Sequence, residues 1–133
     1  MKILTRKRTD IIDITSRVNS QIQKSDLNDG ICVIYSKHTT NSLVINENEK
    51  KLLSDISKLL AKLIPDGKDY LHDSIDNNAA AHLKSTLLNN SLAVPFKNKE
   101  LELGRWQSLF LFEFDGPRER NLLVSLVKCD NFY

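Results

Sequence analysis

Hydrophobic and polar residues along the chain follow two periods, which separate the predicted strands from the predicted helices. The β-branched run 31–35 follows Gly30 and is too short and too branched for a helix, so it predicts a central strand. The segment 42–46 alternates in the same way and predicts a second strand. Over 49–64 the leucines and isoleucines recur at helical spacing, which predicts a helix that ends at Pro65.

The other segments before residue 90 are shorter. Residues 2–8 and 10–14 have an extended pattern, and 15–24 is predicted to be a short helix with Thr15 as its cap. A further helix is predicted over 76–88. Its apolar stripe is expected to contain Ala80, Leu83 and Leu87, with Asn78, His82 and Ser85 on the other side.

The last third of the chain is predicted to be β. Strands over 91–96, 101–103, 106–114 and 121–127 have short connections, which imply antiparallel pairing. Bulky apolar residues fall on both faces of 106–114, so this strand is expected to be covered on both sides. The pattern predicts an α+β fold, a single-domain antiparallel β-sandwich over 1–133 with two or three helices packed at one side.

Composition agrees with one domain and narrows the classes of partner. With 133 residues, 15.2 kDa and 41% hydrophobic residues, the chain can bury a single core. A formal net charge of +2 is too small for a protein that mainly binds nucleic acid or a membrane surface, and no window approaches the ~20 apolar residues of a membrane span. Cys32 and Cys129 form no CxxC pair, so we expect no disulfide framework or zinc ribbon, and a cytoplasmic protein.

Each of the three histidines lies in a polar cluster near the boundary of a predicted element. If folding brought three imidazoles together, they could hold a divalent ion such as zinc. The spacing matches no known metal motif, so the alternative of surface or capping histidines stays open. The clusters are His38 with Thr39 and Thr40, His72 with Asp73, and His82 with Asn78.

The segment EFDGPRER (113–120) places Asp115, Arg118 and Arg120 around a Gly-Pro turn. Guanidinium groups suit phosphate, so the segment predicts a phosphate-binding loop with both arginines outside the core. The alternative is an ordinary hairpin tip in which the arginines pair with neighbouring carboxylates.

Two further pairs of residues are candidates. Asn46 and Glu47 precede the long helix, where capping alone explains them. Trp106 and Gln107 could place an aromatic ring and an amide beside a ligand, although a core position is favoured for the tryptophan. The chain has no GxGxxG, Walker A or GxSxG motif, and Cys32 lies in an apolar strand, where an inert thiol is expected.

Six segments in order, spanning about residues 30 to 127, resemble the YjbQ-like family of small proteins described as secondary thiamine-phosphate synthases. The segments are KHTTNSLVINENE (37–49), YLHD (70–73), NAAAHLKSTLL (78–88), SLAVPF (91–96), LELGRWQ (101–107) and EFDGPRER (113–120).

The resemblance implies a small α+β fold built on a β-sandwich, usually a homotrimer, with the polar residues gathered in a cleft. It implies that His38, His72, His82 and Glu47 are catalytic, and that the three histidines bind a divalent metal ion, zinc or magnesium. The residues implied to bind the substrate or its phosphate are Thr39, Thr40, Asn46, Asn78, Trp106, Gln107, Asp115, Arg118 and Arg120.

The implied reaction joins a hydroxymethylpyrimidine diphosphate to a thiazole phosphate with release of pyrophosphate, whose developing charge arginines or a divalent ion would stabilise. The alternative is a non-catalytic module that binds a phosphorylated ligand or a metal. The chain departs from the family pattern at Asn41, where a small residue is common, and at Asn89, where glycine is usual. Ala79 to Ala81 also lack the acidic residue that many members carry, which weakens an acid/base or metal role.

Overall fold

The strands form two antiparallel sheets in the computed structural model, which describes residues 1–131. The five-stranded sheet has the order β1-β8-β3-β5-β6, and the three-stranded sheet has the order β2-β7-β4. The α+β sandwich predicted from the sequence is therefore confirmed. The strands are β1 Lys2–Leu4, β2 Asp10–Asp13, β3 Gly30–Ser36, β4 Asn41–Glu47, β5 Ser91–Lys97, β6 Glu100–Leu101, β7 Gln107–Glu113 and β8 Glu119–Lys128.

Antiparallel pairing is confirmed throughout, but sequence neighbours do not always pair. β3 lies between β5 and β8, as expected for a central strand. The short connection between β7 and β8 crosses from one sheet to the other, so these two strands do not form the hairpin that their spacing suggests. β7 pairs instead with β2 and β4, both of which precede α2 and lie far from β7 in sequence.

The main core lies between the two sheets. Alternation directs Cys32 and Ile34 of β3 inward, and Leu109 and Leu111 of β7 meet them from the other sheet. Each of these side chains is fully buried, because side chains at alternate strand positions point to the same face. The first helix, α1 (Thr15–Gln23), adds Val18 and Ile22 to this core.

β7 is covered on both faces, as its double apolar pattern predicted. Its second face carries Phe110 and Phe112, followed by Phe114, and their rings meet edge to face at centroid distances of 6.1 and 6.5 Å. Leu60 of α2 (Lys50–Leu63) and Ala81 of α3 (Ala79–Leu87) complete this cluster. The cover comes from the chain itself, so this strand does not require a partner subunit.

The first helix begins at Thr15 as predicted, whereas α2 and α3 begin one and three residues later than predicted. Ile14, not Thr15, is the N-cap of α1, and the Thr15 hydroxyl accepts a hydrogen bond from the Leu109 N–H at 2.9 Å. Glu49 caps α2 by accepting from two backbone N–H groups. A short 3-10 helix, Leu71–Ser74, and the left-handed Asn77 (φ 52°) precede α3.

The predicted apolar stripe of α3 is correct for Ala80, which is buried, but wrong for its two leucines. Leu83 and Leu87 are 42% and 58% exposed, whereas Ala81, Lys84 and Ser85 are buried against the three-stranded sheet and its neighbours. Small side chains let the helix approach the phenylalanine face closely, which turns the leucines outward. None of the helices within residues 1–131 is long and apolar enough to cross a membrane.

Candidate functional site

One end of the sandwich collects most of the predicted site residues. Antiparallel pairing sets the start of β4 against the end of β7, with Asn41 opposite Glu113. It also sets the end of β3 against the start of β8, with Ser36 opposite Leu122. The loop 37–40 joins β3 to β4 at this end, and the segment 114–118 joins β7 to β8 there. The two loops therefore lie beside each other, although they are distant in sequence.

A buried ion pair lies beneath these loops. The Arg120 guanidinium donates to both carboxylate oxygens of Glu113, from Nε at 2.7 Å and from Nη2 at 2.6 Å. Glu113 is fully buried and Arg120 is 4% exposed. Because a bidentate, charge-assisted pair is strong and directional, it fixes the start of β8 against the end of β7.

Arg120 was expected to lie outside the core, and this expectation is wrong. Its Nη2 also donates to the Thr40 hydroxyl at 2.6 Å, so Glu113 and Thr40 together occupy two of its nitrogens. An acidic residue on the inner face of β7, alongside Leu109 and Leu111, was the sequence signal for a buried partner, because an unpaired buried carboxylate is costly. In the structure, Arg120 binds the loop 37–40 through Thr40. Phosphate binding by Arg120 stays a prediction.

Asp115 organises a second polar cluster at the same end. Its Oδ2 accepts from Asn78 Nδ2 at 3.0 Å and from Arg118 Nη2 at 2.9 Å, while Arg118 Nε donates to its backbone carbonyl at 2.7 Å. Burial raises the pKa of the Asp115 carboxyl, but the Asn78 hydrogen bond and the Arg118 charge outweigh it, so the pKa is lowered overall. The other amide atom of Asn78, Oδ1, is buried without a hydrogen-bond partner.

His38 borders a polar cavity, which we call the histidine cavity. Its Nε2 accepts a hydrogen bond from the Asn121 N–H at 2.9 Å, which assigns the proton of the neutral ring to Nδ1. Burial and the charge of Arg120 lower the pKa of His38, so the ring is neutral at pH 7. The cavity measures about 500 Å³ and is lined by His38, Thr39, His82, Ser85, Thr86, Leu88, Asn89 and Asn90.

His82 links this cavity to His72. The two rings pack edge to face with centroids 4.9 Å apart, and His72 Nε2 is buried without a hydrogen-bond partner. Both rings also line an apolar pocket of about 410 Å³ together with Tyr70, Leu71 and Leu83. The structure thus places His38 and His82 on one cavity and His72 directly behind His82.

The histidines as they stand do not fit a metal site. Within residues 1–131 no group of three or more His, Cys, Asp or Glu side chains is arranged to hold a metal ion. A zinc site needs its ligands about 2 Å from the ion. Metal binding by His38, His72 and His82 stays a prediction.

Four of the predicted site residues lie at the opposite end of the sandwich. Asn46 and Glu47 end β4, where Glu47 pairs with Gln107 at the start of β7. β4 spans six residue steps, so this end is ~20 Å from the histidine cavity at ~3.3 Å per residue. Within one chain the predicted site is therefore divided in two.

At this opposite end, two predictions from the sequence are wrong: the capping role of Asn46 and Glu47, and the core position of Trp106. Asn46 and Glu47 do not cap α2, because Glu49 does; the Asn46 side chain instead accepts from the Glu47 N–H at 2.8 Å. Trp106 is 63% exposed and stacks against the Arg105 guanidinium at 4.9 Å, so the core position favoured for it is wrong. Gln107 Oε1 accepts from the Gly104 N–H at 2.8 Å and closes the turn before β7.

Sequence reasoning missed most of the polar lining of the histidine cavity. Ser85 was placed on the polar side of its helix, but Thr86, Asn89 and Asn90 were not among the predicted site residues. Their signal was a run of short polar side chains between α3 and β5. Cys32 meets its expectation, since burial raises the pKa of its thiol to about 11.

Sequence comparison finds relatives of nearly the same length. A protein described as a UPF0047 protein in Archaeoglobus fulgidus is 48% identical over 93% of this chain and 96% of its own. The UPF0047 protein YugU of Bacillus subtilis is 34% identical over 96% of each chain.

Solved structures show the same fold. A YbjQ-like protein of unknown function from Sulfolobus solfataricus superposes with a TM-score of 0.91 at 35% identity, over 95% of this chain and 92% of that one. A conserved protein of the YjbQ/UPF0047 family from Clostridium acetobutylicum superposes with a TM-score of 0.90 at 34% identity, over 96% and 98%. The model of the UPF0047 protein YjbQ-like family matches residues 1–129, and the chain belongs to this family.

Proposed function

We propose that this chain binds a phosphorylated small molecule in the histidine cavity, and that this binding is its main function. The observation that carries the proposal is the lining of the cavity. Imidazoles of His38 and His82, hydroxyls of Thr39, Ser85 and Thr86, and amides of Asn89 and Asn90 surround about 500 Å³. Small-molecule sites commonly enclose ~300–1,000 Å³ with a few convergent polar groups.

The electrostatics at His38 favour an anion. The charge of Arg120 acts on the His38 ring more strongly than that of Glu113, so a net positive potential reaches the edge of the cavity. The Thr39 hydroxyl, the amides of Asn89 and Asn90 and the imidazole N–H groups then supply hydrogen bonds to phosphate oxygens, while the hydroxyls of Ser85 and Thr86 donate to backbone carbonyls. Arg118 is held by Asp115 and Arg120 by Glu113, and neither lines the cavity, so the proposed phosphate contacts come from the neutral groups.

The second candidate is the synthase reaction, in which a pyrimidine diphosphate joins a thiazole phosphate and pyrophosphate leaves. The protonated Nδ1 of His38 favours it, because a fixed donor can stabilise a departing phosphate oxygen. The engaged arginines weigh against fast turnover, because departing pyrophosphate needs charge that is free to respond. We therefore expect the protein to bind the phosphorylated ligand but to turn over the two substrates only slowly. We expect it to do so in the cytoplasm, the compartment that the sequence favours.

Titration calorimetry with pyrophosphate and with the thiazole phosphate tests the proposal. We expect binding by the wild-type protein, and a loss of about 10-fold in affinity for Thr39→Ala or His82→Ala, since each removes a hydrogen bond worth roughly 1 kcal/mol or more. Leu87→Ala, on the exposed side of the same helix as His82, is the control and should bind as the wild type does.

Turnover with both substrates, with and without added zinc or magnesium, separates the two candidates. Product formation that falls in Thr39→Ala favours the synthase. Binding without product favours the binding module. If no phosphorylated ligand binds at millimolar concentration, both candidates are wrong.

A further inference from the structure

A lysine lies buried where its helix faces the phenylalanine cluster. Lys84 is on α3, and the residue is only 7% exposed. Its Nζ lies 5.9 Å from the centroid of the Phe114 ring, so the ammonium group sits over an aromatic face. Such contacts attract a cation. Nζ is not among the buried polar atoms that lack a hydrogen-bond partner, so the ammonium group keeps contact with solvent although its stem is buried.

Lys84 lines a cavity that is separate from the histidine cavity. This second cavity measures about 300 Å³ and lies between α2, β2 and the outer face of β7. Phe112, Phe114, Leu60 and Ile11 form apolar walls, while Lys58 and Asp66, both exposed, lie where it meets solvent. The two cavities share α3, but no residue lines both.

The charge of Lys84 is unmatched in the part of the chain that the structure describes. None of the ion pairs formed by residues 1–131 includes Lys84, and Asp66 does not come within 4.0 Å of it. An ammonium group without a carboxylate partner is available to an incoming anion, with which it can form a charge-assisted hydrogen bond. A cavity that has aromatic and aliphatic walls and such an ammonium group is complementary to a molecule with an apolar body and a negatively charged end.

We propose that this cavity binds a small carboxylate with an aromatic or aliphatic body, which places its carboxylate on Lys84 Nζ and its apolar part against Phe112 and Phe114. Lys84 lies on the aromatic wall of the cavity, whereas Lys58 and Asp66 lie at its exposed mouth, so the carboxylate is assigned to Lys84. The site does not depend on the function proposed for the histidine cavity.

The test uses a matched pair of probes, 4-phenylbutanoate and 4-phenylbutan-1-ol, titrated into the full chain by calorimetry. The acid and the alcohol share the same body, so a difference between them reports the charge. We expect the acid to bind at least about 10-fold more tightly than the alcohol, since a hydrogen bond to a charged group exceeds a neutral one by about that factor. Equal affinities, or an acid that does not bind at millimolar concentration, would overturn the proposal without any variant.

Variants then locate the charge. Lys84→Met keeps the length of the side chain and removes its charge, and it should abolish the preference for the acid. Lys62→Met, on an exposed position of α2, should leave the preference unchanged. His82→Ala should weaken phosphate binding while leaving 4-phenylbutanoate binding intact. Wild-type affinity for the acid in a folded Lys84→Met protein would place the probe elsewhere and overturn the assignment.

Discussion

The ion pair of Glu113 and Arg120 is the residue-level feature with the largest expected effect on stability. Glu113 also accepts hydrogen bonds from the Thr5 hydroxyl and from the N–H groups of Phe114 and Asp115, so its carboxylate anchors several strands. Removing one partner of a buried pair leaves an uncompensated charge, which typically costs ~3–5 kcal/mol. We expect Arg120→Met to lower the free energy of unfolding in urea by about this amount.

A surface pair provides the control for this prediction. Lys2 and Glu119 approach to 3.1 Å on the same sheet, with side chains 73% and 44% exposed. Exposed pairs contribute ~0–1 kcal/mol, so Glu119→Gln should change the stability little. Similar losses from Glu119→Gln and Arg120→Met would contradict the distinction between the two pairs.

His38 makes the stability depend on pH. Burial and Arg120 lower its pKa in the folded chain, so the unfolded chain binds its proton more readily. The stabilising effect is therefore complete above the unfolded value of about 6.5 and is lost as the pH falls through the lower folded value. We expect the His38 ring resonances to titrate below pH 6.5 in an NMR experiment, and His38→Gln to remove this part of the pH dependence. A His38 pKa above 6.5 would contradict it.

At the scale of elements, the helices differ in which leucines they bury. Leu60 of α2 is 7% exposed and packs in the cluster of Phe110, Phe112 and Phe114, whereas Leu87 of α3 is 58% exposed. Leu60→Ala should cost ~2–5 kcal/mol because it opens a cavity in a packed cluster. Leu87→Ala should stay within about 0.5 kcal/mol, as surface substitutions do. Thermal unfolding of both variants measures the two losses of stability. Equal losses would mean that Leu87 is buried, as the sequence suggested, and would contradict the structure.

At the scale of the whole molecule, the outer face of the five-stranded sheet carries apolar side chains. Tyr35, Leu123 and Val127 are 41%, 48% and 53% exposed, and cross-strand pairing sets Tyr35 beside Leu123. We expect this face to join copies of the chain into the homotrimer that the resemblance implies, because contiguous apolar surface favours association. Light scattering should then give three times the chain mass, and Leu123→Lys should shift it toward the monomer. Leu87→Lys is the control, and a wild-type protein that is only monomeric would contradict the expectation.

The division of the predicted site also belongs to this scale. Glu47 and Trp106 lie ~20 Å from the histidine cavity in one chain, so they would join the histidines only if a second copy supplied them. The synthase activity of a variant that is held monomeric, such as Leu123→Lys, therefore tests whether these two residues belong to the site.

The sequence by itself determined the elements and the fold class, because both follow from local periodicity. The pattern of apolar residues located β3 and β4. The apolar residues on both faces of β7 correctly predicted that this strand is covered on both sides. Helical spacing located α2 to within a residue or two at each end. The apolar strand pattern also placed Cys32 inside the core, and the polar break after it placed the loop 37–40 at a strand boundary.

Only the tertiary structure decided which face of a helix such as α3 is buried, and which side chains distant in sequence contact one another. The spacing of α3 separated its leucines from His82, but only the packing of Ala81 and Ser85 against their neighbours showed that the leucines face outward. Arg120 lies seven residues from Glu113 and eighty from Thr40, and it is buried because β7 and β8 belong to different sheets whose ends meet. Periodicity records which residues share a face, but cover depends on contacts between residues far apart in sequence, which a local pattern does not encode.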